Sequence, residues 1–434
     1  MKARCRDEAP QLTAELGTPG QIAAIRGVGS TSGVSRCTMA GMKLAALAII
    51  VAACGSAPPP PAPLRTAEDA PALDALRGAK FDQAVKLAAE QLAIAPRDAE
   101  AAAIRALASY VEEADAMYVA LDVRHSWFFI DKALEPDRRP VIEAFIAKLD
   151  AIDKDLEVVG ADPRFSLELC LACWQSDWNH DGHVDDRDLA LFQIENDAAG
   201  AALPPDDPRR KPTFRFDVGD AMWGRAMLAF QRAAAELLLA YRWSDAKVDS
   251  GKEPIVIHLI APERVKRARE LVLAGLDQSE ASRTAYLAET DDDREWVPSP
   301  TQRSHPVPLD VDAKLYATWQ GVVDDVRDLV AGKRGISMHQ TAALIDPDLA
   351  RIAPDAYVDL GRMLAEPTDI RIEVNEKAND PASIARVLRG LLGHGYAEQM
   401  RPSPLVQRLA AMRAELERGG DTIEHKLRYL IWIN

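Results

Sequence analysis

The sequence predicts a mainly α-helical protein, a helical bundle or hairpin array with few short strands. Three observations carry that expectation. Apolar residues recur at helical spacing from about residue 68 onward. Proline and glycine fall where such stripes begin and end. Strand-like runs are sparse, at Ile255–Ile260 and Ile370–Val374.

Composition sets the outer limits. The chain has 434 residues, 48% hydrophobic and 27% charged, enough for roughly two to three domains. That excludes wholesale disorder, and 5 cysteines exclude a disulfide-stapled miniprotein. Lys plus Arg number 52 against 67 Asp plus Glu, a net charge of -15. Nucleic acid is therefore not expected as a main partner, because phosphate binding needs concentrated Lys and Arg.

Residues 1–41 carry Gly/Ser/Thr clusters and few periodic apolar positions. Met42-Lys43 then leads into an unbroken apolar run, Leu44 to Ala53, followed by Cys54-Gly55-Ser56 and the tract Pro58 to Pro61. A basic residue, an apolar stretch and small residues before a break is the order of a secretory signal. The run is too short to span a bilayer, which takes about 20 residues. Val51-Ala52-Ala53-Cys54 resembles a bacterial lipobox. That resemblance implies cleavage before Cys54 and acylation of its thiol. Translation is then expected to start at Met42 or Met39, with residues 1–41 an untranslated or leader extension and 42–53 the signal peptide. Removing residues 1–53 takes away six basic and three acidic side chains, so the net charge moves from -15 to -18. Such a chain gains nothing from attraction to anionic lipid, and its anchoring would rest on the acyl chains. Residues 54–67 read as a Pro/Ala tether.

Residues 68–160 read as helices. Phe81, Ala84, Leu92 and Pro96 resemble the second half of a tetratricopeptide repeat, in which a small residue lets two helices approach and a proline ends the second. The match covers about one repeat, and an ordinary Ala-rich hairpin accounts for the pattern equally well. Residues 161–290 read as a second helical region. Its helices are expected at Phe165 to Gln175, Asp186 to Glu195, Asp220 to Trp243 and Pro262 to about Glu289. The acidic, then Pro-rich stretch 291–308 is the best internal boundary. In residues 309–434, Leu315, Trp319, Val322, Val326 and Leu329 form a stripe ended by Gly332. Ser403-Pro404 opens another helix, and Asp421 with Glu424 forms a capping box for a last one.

The sharpest chemistry lies in Asp177-Trp178-Asn179-His180-Asp181-Gly182-His183-Val184-Asp185-Asp186-Arg187-Asp188. Ca²⁺ takes about six to eight oxygens in a flexible shell. This segment resembles an EF-hand calcium loop, most closely the dockerin-like form. The resemblance implies side-chain ligands from Asp177, Asn179 and Asp181 and a sharp turn at Gly182. It also implies a backbone carbonyl from His183, a water-mediated contact from Asp185 and closure by Asp188. Closure departs from the usual Glu: Asp is one methylene shorter and offers a single oxygen more readily than two. Val184 is expected to point into the core and pair with a partner loop. A degenerate partner is one reading of Phe214 to Trp223, with Phe216 opposite Val184; the other is that Asp220 caps the long helix. Two histidines among carboxylates fit oxygen chemistry better than a zinc cluster.

Other signals are weaker. Cys170 and Cys173 form a CxxC within the run expected to be helical, where core cysteines are the simpler reading and a disulfide has poor geometry. Asp291-Asp292-Asp293 with Glu295 is either a second weak cation site or a solvated acidic loop. No HExxH, GxSxG, Walker or GxGxxG motif occurs after residue 53. The expectation is a calcium-binding lipoprotein of the bacterial envelope, on the outer-membrane or periplasmic side. Its Ca²⁺ would be structural, its anchor the acylated Cys54, and its helical surface a scaffold for a protein partner. The alternative is an envelope-anchored hydrolase or other enzyme without a readable motif.

Overall fold

The computed structural model describes residues 70–120, 138–178, 182–185, 188, 192–197, 200–246, 254–292, 294–308, 311–373 and 380–417. The lipobox Val51–Cys54 and the Asp421–Glu424 capping box lie outside them. Among the described residues the chain is mainly α, with twelve α-helices and seven strands of two or three residues.

The N-terminal part builds as a chain of neighbours. Helix α1 (Pro71–Arg77) packs on α2 (Phe81–Ile94), α2 on α3 (Ala99–Ala120), and α3 on α4 (Arg139–Gly160). Small side chains make the approach close: Ala84, Ala88, Ala101, Ala102 and Ala108 are fully buried. Asp98 caps α3, accepting from the Ala101 amide at 3.1 Å. Helix α4 turns Ile142, Leu149, Ile152 and Val159 inward. Asp155 on the same face is also buried, clamped by Arg105 Nη2 at 2.5 Å and Nε at 2.8 Å.

Two long helices follow, α5 (Val218–Ala240) and α6 (Pro262–Tyr286), the most extensively packed pair in the molecule. Both were legible from Pro262 and from the stripe around Trp223. Arginines on α5 and α6 face acids on α4. Arg225 reaches Asp153 at 2.7 Å, and Arg264 bridges Glu143 at 2.8 Å and the buried Glu236 of α5 at 2.7 Å. Helix α7 (Ala313–Val330) is capped by Asp312 and stopped at Gly332, whose φ of +70° suits glycine.

The strands form three small antiparallel sheets. β1 (Leu167–Leu169) pairs with β2 (Phe214–Phe216), Leu167 opposite Phe216. β3 (Ile255–Ile257) pairs with β6 (Ile370–Ile372), so the two runs read as strands are each other's partners. β5 (Tyr357–Val358) lies between β4 (Ile336–Ser337) and β7 (Tyr396–Ala397). Helices α8 (Met338–Ile345), α9 (Pro347–Ala350), α10 (Leu360–Ala365), α11 (Pro381–Leu392) and α12 (Leu405–Glu417) complete the C-terminal part. Asp325 of α7 holds Arg408 of α12 at 2.9 Å.

Two expected helices differ. Phe165 to Gln175 is strand β1 followed by a single 3₁₀ turn, Leu171–Cys173. Phe165, Leu167, Leu169 and Leu171 are all buried, an alternation with the period of a strand. Cys170 and Cys173, expected as core cysteines, are joined in a disulfide with their Cα atoms 5.3 Å apart. The other segment, Asp186 to Glu195, is not helical over Phe192–Glu195. Gln193 and Ile194 are buried there, with the Ile194 amide donating to Arg210 O.

One hydrophobic core takes residues from Ala70 to Leu405. The stretch 291–308 contributes Trp296, Val297 and Val307 to it. No helix among the described residues is long and apolar enough to cross a membrane.

Candidate metal centre

The loop from 177 to 188 is anchored on aromatic rings. Trp178 lies 6.2 Å from Phe81 and 6.3 Å from Phe192, and Trp174 meets the same two rings at 5.2 and 6.2 Å. Trp178 thus packs beside Phe81, the first residue of α2. Asp177 turns its carboxylate back on the loop: Oδ2 accepts from the Gly182 amide at 2.8 Å. Gly182 has φ +89°, a conformation that side chains with a Cβ avoid. At the far end Asp188 is buried, and its Oδ2 accepts from the Asp185 amide at 3.0 Å. Asp185 and Asp188 are therefore brought together, as are Asp177 and Gly182. His183 is exposed. Asn179 and Asp181 lie outside the described residues.

The partner-loop reading is corrected. Val184 is 48% exposed, not turned into the core. Phe216 pairs with Leu167 on one side of β2, and Arg215 bridges Glu295 on the other, so both edges of that strand are taken. The long helix is capped by Asp217, whose Oδ1 accepts from the amides of Gly219 and Asp220, while Asp220 Oδ2 accepts from the Asp217 amide at 2.8 Å. This is a capping box with Asp at both ends.

That capping box is one wall of a second, buried group of carboxylates. Asp217 comes from the start of α5, Glu289 from just beyond the end of α6, and Glu295 from the following loop. One oxygen of each lies within 4.8 Å of the other two. The loop places Glu295 by backbone pairing: the Arg215 amide donates to Arg294 O at 3.0 Å and the Trp296 amide to Arg215 O at 3.4 Å. Trp296 then meets Phe214 edge to face at 4.7 Å and Phe216 at a tilt at 5.3 Å. Gln302 Nε2 donates to Glu289 Oε2 at 3.2 Å, and Tyr286 Oη to Asp220 Oδ1 at 2.5 Å.

The acidic run after Asp291 is solvated only in part: Asp292 is exposed, Asp291 is half-buried, Glu295 is buried, and Asp293 lies outside the described residues. Asp291 Oδ2 holds the buried Arg215 at 2.8 Å. Asp292 accepts from the amides of Arg303 and Ser304 at 2.6 and 2.7 Å, which keeps it below the usual carboxylate range. Glu295 is 2% exposed and Glu289 6%. Glu289 Oε1 and Glu295 Oε2 accept no hydrogen bond.

Buried anions without donors are costly, which raises the carboxyls of this group. Burial, then the facing Asp217 charge, push the Glu289 carboxyl up to about 12. Burial, then Asp217 and Asp220, push Glu295 up to about 9, against the opposing pull of Arg215. Asp220 is also raised well above its ordinary value, by burial and by Asp217. Two acceptors face each other here, and either a proton or a cation must lie between them.

The sequence reads Asp217 as part of a degenerate loop, Asp220 as that loop's end or a helix cap, and Glu295 as part of either a weak cation site or a solvated loop; it passes over Glu289. No local pattern joins residues 217, 289 and 295. The available hints were the D-x-x-D box at 217–220 and the placing of Glu295 beside Trp296, a residue that seeks burial. Comparison with protein families, characterised proteins and solved structures found no match to this chain.

Proposed function

We propose that the protein is a calcium-binding lipoprotein of the bacterial cell envelope, with a structural Ca²⁺ in the 177–188 loop and a helical surface serving a protein partner. The observation that supports this reading is the turn at Gly182: a left-handed glycine whose amide is held by the Asp177 carboxylate. An EF-hand-like loop needs that turn for its first carboxylate and its middle residues to face one centre. Asp188, folded back on the Asp185 amide, supplies the closing carboxylate. Asn179, Asp181 and the His183 carbonyl would complete the oxygen set. Bound Ca²⁺ would stabilise the folded chain by RT ln(1 + c/Kd), c being the free Ca²⁺ concentration.

The test is calorimetric titration of Ca²⁺ into the purified protein, with Asp177→Ala and Asp181→Ala as controls. Loss of one bound ion per chain in both controls supports the loop. Thermal stability that is the same in Ca²⁺ and in chelator defeats it.

A further inference from the structure

We infer that Asp217, Glu289 and Glu295 form a second, enclosed site for a hard divalent cation, separate from the 177–188 loop. The geometry suits an oxygen shell. Ligands on opposite sides of a Ca²⁺ stand about 4.8 Å apart, given metal–oxygen distances of about 2.4 Å. The three carboxylates fall within that span. They come from three separate pieces of chain, the cap of α5, the end of α6 and the loop after it, so an ion there ties these pieces together.

The second observation is the pair of orphan oxygens. Glu289 Oε1 and Glu295 Oε2 belong to residues more than nine-tenths buried, and neither meets a donor. The group around them is rich in donors elsewhere. Asp217 Oδ1 takes two amides, Asp220 takes Tyr286 and the Asp217 amide, and Glu289 Oε2 takes Gln302. Asp217 and Glu289 are thus each oriented through one oxygen, and Glu289 Oε1 and Glu295 Oε2 are left without a donor. Asp291 Oδ1, also buried and without a donor, is a further oxygen nearby on the same loop. Arg215 offsets part of the negative charge and is itself engaged by Asp291 and Ser166. Oxygen-only ligands without His or Cys select Ca²⁺, Mg²⁺ or Mn²⁺ over zinc or copper. The enclosed position predicts slow exchange with solvent.

The experiment counts ions in the full chain. After equilibrium dialysis against CaCl₂, the wild type is expected to hold two Ca²⁺ per chain and Glu289→Gln/Glu295→Gln one fewer. In the Asp177→Ala/Asp181→Ala background one ion should remain, and adding the two Gln substitutions should remove it. Asp217→Asn keeps a good helix cap and should weaken that remaining ion at least tenfold. Tb³⁺, standing in for Ca²⁺, should emit on excitation of Trp296 in the same background, and Trp296→Phe should cancel the emission. Two results overturn the site. One is a folded Asp177→Ala/Asp181→Ala protein that takes up no Ca²⁺, Mg²⁺ or Mn²⁺ at millimolar concentration, the carboxyls then being held by protons. The other is ion uptake unchanged by the two Gln substitutions. A wild-type count that Asp177→Ala/Asp181→Ala leaves unaltered speaks against the loop alone and leaves this site standing.

Discussion

Gly219, in the first turn of α5, lies directly against the ring of Tyr286, the last residue of α6: a Cβ at Gly219 would stand 2.7 Å from the ring's Cε1. Only a hydrogen leaves room for the ring. The contact brings the two helix ends together and lets the Tyr286 hydroxyl reach Asp220. The carboxylate group is built on that junction.

Gly219→Ala should therefore cost about 1–3 kcal/mol, the usual penalty for overpacking a filled site. The ring must move, and its hydrogen bond to Asp220 goes with it. Gly160→Ala is the control, because a Cβ there meets nothing within 4 Å. It should stay within about 0.5 kcal/mol of wild type. Chemical denaturation measures both. Equal stability of the two variants would mean that the junction is loose.

The Arg105–Asp155 clamp between α3 and α4 makes a different prediction. Asp155 is 8% exposed, so Arg105→Met strands a buried carboxylate and should cost about 1–3 kcal/mol. Arg105→Met/Asp155→Leu should recover most of that loss, because a well-packed apolar pair replaces a buried ion pair at little cost. A double-mutant cycle in urea reads the difference. Additive losses would show that the two side chains are not coupled.

Much of this fold was open to reading because its signals are local. Pro262 starts α6, Gly332 stops α7, and the isoleucine runs at 255 and 370 are strands in a chain otherwise written for helices. What escaped reading depends on distance in the chain. Phe165–Leu171 is apolar enough for either period, and only its pairing with Phe214–Phe216 decides for a strand. The carboxylate group is harder still. Asp217, not the expected Asp220, is the N-cap of α5, and nothing near Glu289 in sequence announces that residue 217 lies against it. The partner-loop reading failed for the same reason: both edges of the Phe216 strand are taken, by Leu167 on one side and Glu295 on the other.

Asp328 gives a pH prediction with a definite sign. Near the end of α7 it accepts from Lys333 Nζ at 3.0 Å and Arg334 Nε at 3.2 Å. The Lys333 hydrogen bond, followed by the charges of Lys333 and Arg334, holds this carboxyl below its ordinary value. A depressed carboxyl stabilises the fold above its unfolded pKa, about 3.9, and loses that contribution as pH falls through the folded value. Carbonyl NMR should show Asp328 still ionised where ordinary aspartates have taken up protons. Lys333→Met/Arg334→Met should bring its midpoint back up to the ordinary range. An unchanged midpoint would rule out these two cations as the cause.

The lipoprotein reading places the start of the mature chain at Cys54, after the apolar run Leu44 to Ala53. With a net charge of -18 beyond that point, attraction to anionic headgroups cannot hold the protein on a membrane. A single acyl chain gives only weak, reversible binding, so stable anchoring requires the diacylglyceryl group that a lipobox cysteine receives. Two measurements follow. Cells fed labelled palmitate should transfer label to the wild type and none to Cys54→Ala, and the wild type should stay with membranes through a high-salt wash. Cys54→Ala should leave the membrane fraction, because no helix among the described residues is long and apolar enough to cross a membrane in place of the acyl chains. Mass spectrometry of the purified wild type should find no peptide from Arg6 to Arg36. Abundant peptides from that stretch in the mature protein would defeat cleavage at Cys54, and label persisting in Cys54→Ala would place the lipid on another residue.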